Sequence, residues 1–330
     1  MNYKIYQLDI MQRNELPLTD QSIIDRVAKT WGFVVHKPEY NDLGTTFAFG
    51  LTNDNGKKLF LKIYSKRKEE AHLYNSTPES LRNNCLVLSR LRIKYNIRQM
   101  PEIIKTSAGE YLDEFDNFML VILHYIEGSN PRYEPNELQS IKLATILSDL
   151  HMVPIVDFPE IVYETFDIDF AMGFRKWLDI KSVHGREEMR PMLEKLATHK
   201  AYIERALSSL EKLCAYFKSA PLDLVLTHGD AHHFNVLQTT NDLYLIDWDD
   251  VKIAPRERDL WHYEFTPLTA DYSDLNPKFV LNRDLCAYYR TQRFLDDLRI
   301  YIEHETTTKE QAQININYFC NHFGWVECGK

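Results

Sequence analysis

The spacing of apolar residues changes part-way along the chain, and this change restricts the folds that the sequence can adopt. In the first part, short apolar and aromatic runs such as TFAFGL (46–51) and KLFLKIY (58–64) are bounded by turn residues, and the pair Asn55 and Gly56 between these two runs is a strong signal for a β-hairpin. In the later part, apolar residues recur at the spacing of α-helices, as in residues 203–217. The order of these patterns predicts an α+β chain.

A chain of 330 residues, of which 44% are hydrophobic, is long enough to bury two hydrophobic cores. We therefore predict a small, strand-rich N-terminal lobe over residues 1–123 and a larger, mostly helical C-terminal lobe over residues 124–330. Small molecules often bind in concave sites between domains, so a cleft between the lobes is the expected position of a functional site.

The acidic character of the chain limits the partners that it can bind. The formal net charge is −9 at pH 7, which opposes binding to the phosphate backbone of nucleic acids and favours a cationic small molecule. The longest uninterrupted apolar run, residues 118–123, is far too short to span a bilayer. We expect a cytoplasmic protein that binds neither nucleic acid nor a membrane.

Polar residues are concentrated in the segment LTHGDAHHFNVL, residues 226–237. The apolar residues before it predict a short strand, and the runs VLQ and LYLID on either side of a TTND turn predict a small hairpin after it. Asn235 lies at the start of this hairpin and Asp247 at its end. The hairpin would therefore bring both side chains together, with Asp230 beside them.

This arrangement of oxygen-bearing side chains suits phosphoryl transfer. The Asn235 amide and the Asp247 carboxylate are ligands that Mg²⁺ accepts, and Mg²⁺ commonly takes its remaining ligands from water and substrate phosphates. Asp230 precedes Asn235 by five positions, which is the D-x-x-x-x-N spacing of loops in which the aspartate accepts the proton of the attacking hydroxyl. The segment therefore predicts Asp230 as a catalytic residue and Asn235 with Asp247 as Mg²⁺ ligands.

Two other interpretations of the histidines in this segment stay open. Imidazole is a common zinc ligand, and His228, His232 and His233 could form a zinc site, although their spacing matches neither a helical histidine pair nor the HxHxDH pattern. Alternatively, a histidine in a tight turn donates a hydrogen bond to a backbone carbonyl. We favour that structural role for His228 and leave His232 and His233 unassigned.

Three blocks of the sequence, LTHGDAHHFNVL, YLIDWDD and APRERDLW, resemble the motifs of the aminoglycoside phosphotransferase family in their order and spacing. The form of the second and third blocks, together with YYRTQRFLDDLRIYIEH (288–304), is most similar to the spectinomycin phosphotransferase branch. The resemblance implies a bilobal, protein-kinase-like fold. It is specific between residues 226 and 261.

The resemblance also implies roles for individual residues. Asp230 matches the catalytic aspartate of the family, Asn235 its metal-binding asparagine and Asp247 its metal-binding aspartate. Asp259, in the block APRERDLW, matches an aspartate that braces the catalytic loop. Asp249 is expected to help bind the metal or a cationic substrate, unless it is simply an exposed carboxylate.

If the resemblance holds, the N-terminal lobe binds the nucleotide. Lys62, in the strand segment LFLKIY, would bind the nucleotide phosphates, although an alternating strand on its own would turn this lysine to solvent. The segment with Gly44, Thr45 and Thr46 stands where a loop covers the phosphates in the family. Backbone amides and threonine hydroxyls would make these contacts here.

A kinase-type lysine pairs with a glutamate of the following helix. The helix predicted from Pro78 has Asn84 near the expected position, and its single glutamate is Glu79. Either Glu79 pairs with the lysine from the first turn, or the ion pair is absent. Further along the chain, backbone groups from Leu123 to Tyr125 would bind the adenine base.

These roles together imply transfer of the γ-phosphoryl group of ATP or GTP, with Mg²⁺, to a hydroxyl of a small cationic molecule. The resemblance favours an aminoglycoside or aminocyclitol antibiotic such as spectinomycin as the acceptor. A metabolic kinase of the same fold, acting on choline, ethanolamine or a sugar, would explain the acidic composition equally well. A non-catalytic nucleotide-binding relic is the third hypothesis. The poor phosphate loop and the displaced glutamate favour it, and the complete set of Lys62, Asp230, Asn235 and Asp247 argues against it.

Overall fold

A computed structural model of the chain describes residues 13, 16–41, 46–66, 77–131, 136–167, 175, 197 and 200–303. The chain divides into two compact units, each made of separate segments. The first unit contains Met1–Val162, Val225–Ile253 and Phe265–Pro277, and the second contains Tyr163–Leu224, Ala254–Glu264 and Lys278–Lys330. The lobe boundary at residue 123 stays a prediction.

The N-terminal part of the first unit forms a six-stranded antiparallel sheet in the order β1-β2-β3-β6-β4, with β5 also paired to β6. Its strands are β1 (Val35–Asn41), β2 (Phe47–Asn53), β3 (Lys58–Ser65), β4 (Ile103–Ile104), β5 (Asp113–Phe115) and β6 (Phe118–His124). The predicted hairpin is confirmed, because β2 and β3 pair from Phe47 with Ile63 to Thr52 with Lys58. Gly56 lies in the turn with a φ of 73°, a backbone conformation that favours glycine.

Two helices pack on opposite faces of this sheet, because successive side chains of a strand point to opposite sides. Helix α1 (Asp20–Trp31) begins after Thr19, whose side chain accepts a hydrogen bond from Ser22 N. Its buried side chains form a core with Leu61 and Ile63 of β3. Helix α2 (Pro78–Lys94) packs against Tyr64 of the same strand and against β6.

The chain after the sheet is mostly helical, as the sequence predicts. Among the described residues, its helices are α3 (Glu137–His151), α4 (Lys200–Phe217), α5 (Glu257–Leu260), α6 (Pro267–Leu275) and α7 (Arg283–Glu303). In the same described part, the strands are β7 (Leu224–Thr227), β8 (Val236–Gln238), β9 (Leu243–Leu245) and β10 (Lys252–Pro255), which pair as β8 with β9 and β7 with β10. Among the described residues, no helix combines the length and the apolar character needed to cross a bilayer.

Backbone and side-chain hydrogen bonds join the ends of the first unit's segments. Ile253 N donates to Val162 O at 2.9 Å, and Thr227 Oγ1 donates to Lys252 O at 2.9 Å. The chain therefore leaves the first unit after residue 162 and again after residue 253 at adjacent points.

The second unit is held by an aromatic cluster and by a buried ion pair. The rings of Phe166, Phe217 and Tyr288 contact one another, with centroids 5.1 to 6.2 Å apart. Arg258 Nε lies 3.8 Å from Glu164 Oε2, and each of these side chains is only 5% exposed. Since a charge is costly to bury alone, each side chain stabilises the other in the folded state.

An ion pair connects α1 to β5 in the first unit. The Arg26 guanidinium donates to both carboxylate oxygens of Asp113, at 2.5 Å each, and to Glu114 O at 3.2 Å. The two charged side chains are 20% and 9% exposed. The hydrogen bonds to Asp113 raise the pKa of Arg26 above its usual value.

Replacing Arg26 with methionine should lower the free energy of unfolding by about 1–3 kcal/mol, because the buried Asp113 carboxylate loses its partner. Adding Asp113→Leu should recover part of the loss, because it removes the unpaired charge. Denaturant unfolding followed by tryptophan fluorescence measures both effects. Lys58→Met, which breaks the exposed Lys58–Glu127 pair, is the control and should leave the transition nearly unchanged. An unchanged transition in Arg26→Met would contradict the stabilising role of the pair.

Candidate active site

Lys62 lies in β3, opposite Ala48 of β2 and Val121 of β6. Its Nζ atom donates hydrogen bonds to Asp247 Oδ1 at 2.6 Å and to Asp249 Oδ2 at 2.7 Å. The residue is only 8% exposed, so it does not point into solvent as strand alternation on its own would suggest. The two carboxylates compensate the buried positive charge.

The charges of these three side chains depend on one another. Removal from water disfavours the Lys62 ammonium, but Asp247 and Asp249 outweigh this effect and raise the pKa of Lys62 well above its usual value. Desolvation likewise opposes ionisation of Asp247, and the Lys62 ammonium outweighs it, so the pKa of Asp247 is lowered. For Asp249 the burial effect dominates and the pKa is raised. Asp247 is therefore the more readily ionised of the two aspartates.

Asp249 has two further contacts that the sequence did not predict. The Tyr64 hydroxyl lies 3.0 and 3.1 Å from the two carboxylate oxygens and donates to them. Asn84 Nδ2, from α2, donates to the backbone carbonyl of Asp249 at 2.9 Å. Both Tyr64 and Asn84 are buried.

The loop between β7 and β8 positions Asp230 and Asn235. Gly229 has a φ of 94°, so the chain turns sharply there, and residues His233–Asn235 form a short 3₁₀ helix before β8. Asn235 Nδ2 donates to Asp230 O at 2.9 Å and to Asp230 Oδ2 at 3.0 Å. These bonds hold the two side chains together, and the amide oxygen of Asn235 is the atom that could bind a metal ion.

The hairpin of β8 and β9 brings the end of β9 back to Asn235. Ile246 N donates to Asn235 O at 2.8 Å, and Asp247 follows directly. Asp247 has a φ of 66°, a left-handed conformation that is uncommon for a residue with a Cβ. Its side chain is 43% exposed. Such backbone strain is one feature that recurs at functional sites.

Two histidines of this loop, His228 and His232, bond to its backbone. His228 is fully buried, its Nε2 lies 2.9 Å from Ile246 O, and its Nδ1 accepts a hydrogen bond from Asp230 N at 3.2 Å. His232 Nδ1 accepts a hydrogen bond from a backbone N–H two residues later, at 3.2 Å. Burial, helped by the neighbouring His232, lowers the pKa of His233 to about 4. The contacts of His228 are those of the structural role that we favour.

The donor set fits Mg²⁺. Asn235 and Asp247 offer an amide oxygen and a carboxylate oxygen, which are hard ligands, and Mg²⁺ needs few protein ligands because it keeps waters and binds substrate phosphates. Within the described ranges, no cluster of three or more His, Cys, Asp or Glu side chains is arranged to hold a metal ion. A site completed by phosphate oxygens is the arrangement that these residues suit.

The sequence similarity of the chain decides its family. Residues 42–274 match the profile of the phosphotransferase enzyme family, which is well over half of the chain. The chain belongs to the phosphotransferase enzyme family. The resemblance seen in the three sequence blocks is therefore confirmed. No curated protein shows significant sequence similarity to this phosphotransferase.

Solved structures of antibiotic phosphotransferases share the fold. A spectinomycin phosphotransferase, APH(9)-Ia, in complex with ADP and spectinomycin, has a TM-score of 0.74 at 20% identity, over 93% of this chain and 95% of that chain. Amicoumacin kinase hAmiN, in complex with AMP-PNP and Ca²⁺, has a TM-score of 0.62 at 10% identity, over 94% and 96% of the two chains. A thermostable mutant of the aminoglycoside phosphotransferase APH(4)-Ia, in its apo form, has a TM-score of 0.60 at 14% identity, over 94% of this chain and 98% of that chain. The predicted α+β, protein-kinase-like fold class is confirmed.

The structure of this phosphotransferase does not bring Glu79 to Lys62. Glu79 is exposed in the first turn of α2, whereas Lys62 is buried and paired with Asp247 and Asp249. The expectation that Glu79 could serve as the partner of the lysine is therefore corrected. The physical reason is position along the helix, because the buried residue that α2 directs to this site is Asn84.

Only some of the residues predicted to bind the rest of the nucleotide are among the described residues. Gly44 and Thr45 are outside the described residues, and Thr46 is half-buried next to the start of β2. Leu123 lies in β6, the strand that pairs with β3, and Tyr125 follows the end of that strand with 43% of its surface exposed. The contacts of these residues with phosphates and adenine stay predictions.

Asp259 belongs to the second unit of the phosphotransferase. It lies in α5 and is fully buried. A buried carboxylate persists only with polar or charged partners, which agrees with a structural role. Its role in bracing the catalytic loop stays a prediction.

The segment after β6 contacts the loop that carries Asp230 and Asn235, and the sequence patterns did not predict this contact. Asn130 Nδ2 donates to Phe234 O at 2.6 Å and to Val236 O at 3.0 Å, the carbonyls on either side of Asn235. The sequence signal for this contact was Gly128, two positions before Asn130 in IEGSN. A glycine next to a strand often marks the close approach of two backbones.

Gly128 allows this close approach. Ser129 and Gln238 exchange two backbone hydrogen bonds, at 3.0 and 2.8 Å, directly beside it. A Cβ atom on Gly128 would lie 2.8 Å from Gln238 O and 3.2 Å from Gln238 C, which are backbone atoms that cannot rotate away.

Gly128→Ala should therefore lower the free energy of unfolding by about 1–3 kcal/mol, because the added methyl group overpacks the contact. Thermal and denaturant unfolding measure the loss. Gly50→Ala is the matched control, since its Cβ would meet its nearest neighbour atom, Glu39 O, only at 3.9 Å. Equal stabilities of the two variants would show that the Gly128 contact is looser than described.

Proposed function

We propose that this phosphotransferase moves the γ-phosphoryl group of ATP or GTP to a hydroxyl of a small cationic molecule. The observation that carries the proposal is the hydrogen bond between Lys62 of β3 and Asp247. This bond connects the lysine expected to bind phosphates with the aspartate expected to bind the metal. The β8–β9 hairpin brings that aspartate close to Asn235, which in turn bonds to Asp230. A non-catalytic relic has no need for this convergence.

The donor is proposed from the charges of the site. Lys62 is a cation held by two carboxylates, and phosphate oxygens are the natural ligands of such an ammonium in a kinase-type site. ADP is present in the spectinomycin phosphotransferase complex and AMP-PNP in the amicoumacin kinase complex, which supports an adenine nucleotide. Because the donor is a nucleoside triphosphate, we also propose that the protein works in the cytoplasm.

Asp230 is proposed to bind and orient the acceptor hydroxyl. The hydroxyl oxygen forms a bond to the γ-phosphorus, the bond from that phosphorus to the bridging oxygen of the nucleoside diphosphate breaks, and the hydroxyl proton passes to the Asp230 carboxylate. The hydrogen bonds from Asn235 fix the position of Asp230 for this step. Mg²⁺, held by Asn235 and Asp247, would neutralise the charge of the phosphates.

The acceptor class is proposed from the net charge and from the neighbours. A formal charge of −9 attracts cations, and amine-bearing antibiotics are cationic. Among the structures with a similar fold, spectinomycin phosphotransferase APH(9)-Ia contains spectinomycin, and a thermostable mutant of APH(4)-Ia contains hygromycin B. We therefore propose an aminoglycoside or aminocyclitol antibiotic such as spectinomycin as the acceptor.

Magnesium-dependent consumption of ATP and GTP by the purified protein tests this function. The assay is run alone and with spectinomycin, hygromycin B, other aminoglycosides, choline, ethanolamine and sugars. Stimulation by an antibiotic supports the proposal, and stimulation only by choline, ethanolamine or a sugar replaces the acceptor with a metabolic one. Failure to bind either nucleotide would contradict the enzyme assignment.

Asp230→Asn should lower turnover by about 10²–10⁴-fold, because the amide cannot accept the proton although it can still accept the hydrogen bond from Asn235. Nucleotide affinity should stay unchanged, since Asp230 acts on the acceptor. Steady-state kinetics and calorimetric titration with MgATP measure the two quantities. Asp25→Asn, on the exposed side of α1, is the control of equal charge change. A turnover close to that of the unmodified protein would remove Asp230 from this role.

A further inference from the structure

We infer that Asp249 is a positioning residue for Lys62, and that with Tyr64 and Asn84 it takes the place of the helix glutamate that pairs with the lysine in protein kinases. This inference rests on the proposed function, because it concerns how Lys62 is held to bind the nucleotide phosphates. It gives Asp249 a role other than binding the metal or the acceptor.

The two carboxylates that bind Lys62 differ in their exposure to solvent. Asp247 Oδ1 and Asp249 Oδ2 accept hydrogen bonds of nearly equal length from its Nζ atom, 2.6 and 2.7 Å. Asp247 is the more exposed carboxylate, with 43% of its side chain open against 29% for Asp249. A carboxylate that binds a metal shares its charge with that metal. Lys62 then depends on the second carboxylate to keep its position.

Tyr64 holds the carboxylate of Asp249 in place. The Tyr64 hydroxyl lies within 3.1 Å of both Asp249 oxygens, and the Tyr64 side chain is itself buried in the core between β3 and α2. Tyr64 follows Lys62 by two positions on the same strand, so both side chains face the same side of the sheet. The strand that carries the lysine therefore also carries the residue that holds the lysine's partner.

Helix α2 also helps to hold Asp249. Near the position where a kinase-type glutamate is expected, this helix has Asn84, which cannot form an ion pair. Its amide instead donates to Asp249 O at 2.9 Å and fixes the backbone of that residue. The helix thus contributes to the position of Lys62 indirectly, through Asp249, while its own glutamate, Glu79, is exposed.

A double-mutant cycle tests whether Asp249 acts through Lys62. Isothermal titration calorimetry with MgATP gives the affinity of the unmodified protein, Asp249→Asn, Lys62→Met and the double variant. Asp249→Asn should weaken binding about tenfold, because a charged hydrogen bond to the lysine is lost. In the Lys62→Met background the same change should weaken binding by no more than about twofold, because there is no ammonium left to position.

An Asp249→Asn effect of equal size in both backgrounds would overturn the inference, because Asp249 would then contact the metal or the nucleotide itself. No effect in the unmodified background would also overturn it. Asp54→Asn, in the exposed turn between β2 and β3, removes the same charge and should leave affinity unchanged. Circular dichroism and the unfolding midpoint show that each variant is folded.

Tyr64→Phe provides a second test if Lys62→Met binds too weakly to measure. It removes only the hydroxyl that holds the Asp249 carboxylate, and we expect a smaller loss of MgATP affinity in the same direction. Unchanged affinity in Tyr64→Phe would overturn the inference. Failure of the unmodified protein to bind MgATP or MgGTP would instead overturn the proposed function, and the inference with it.

Discussion

The pairing of one buried lysine with two aspartates is the interaction on which the candidate site depends. The Lys62 side chain is only 11% exposed, so its ammonium has lost most of its water, and such a charge is stable only beside opposite charges. Its partners lie 185 and 187 residues further along the chain. The sheet, the loop after β9 and helix α2 must therefore all be in place before Lys62 can occupy its position.

The loop that carries Asp230 and Asn235, proposed here as the catalytic loop, is held in place by several hydrogen bonds to its backbone. His228 contacts the carbonyl of Ile246, and Ile246 N contacts the carbonyl of Asn235. Asn130 contacts the two carbonyls that flank Asn235. Because several bonds converge on so few residues, the loop has little freedom to move Asp230 away from Asn235. Preorganised groups of this kind avoid reorganisation during the reaction.

Local sequence patterns predicted the parts of the structure that depend on neighbours in the chain. Turn residues and alternation were sufficient for the β2–β3 hairpin, and the short hairpin of β8 and β9 was sufficient to bring Asp247 close to Asn235. Spacing along the helix pointed to Asn84 as the residue that faces the site, and Asn84 does contact Asp249 there. Glu79 does not pair with Lys62, because both partners of the lysine come from a distant segment. The roles of Tyr64 and Asn84 could not be predicted for the same reason, since contacts between distant segments leave no periodic signal.

The second unit is formed by segments that interrupt the first unit in the sequence. The backbone bond between Ile253 and Val162 keeps two of the exits from the first unit side by side. Residues 163–224 and 254–264 belong to the second unit and are inserted between segments of the first unit. Segments that leave and return at neighbouring points can change in length or composition with little effect on the remainder. Changes of length in residues 163–224 should therefore leave Lys62, the two aspartates and the β8–β9 hairpin of the first unit in place.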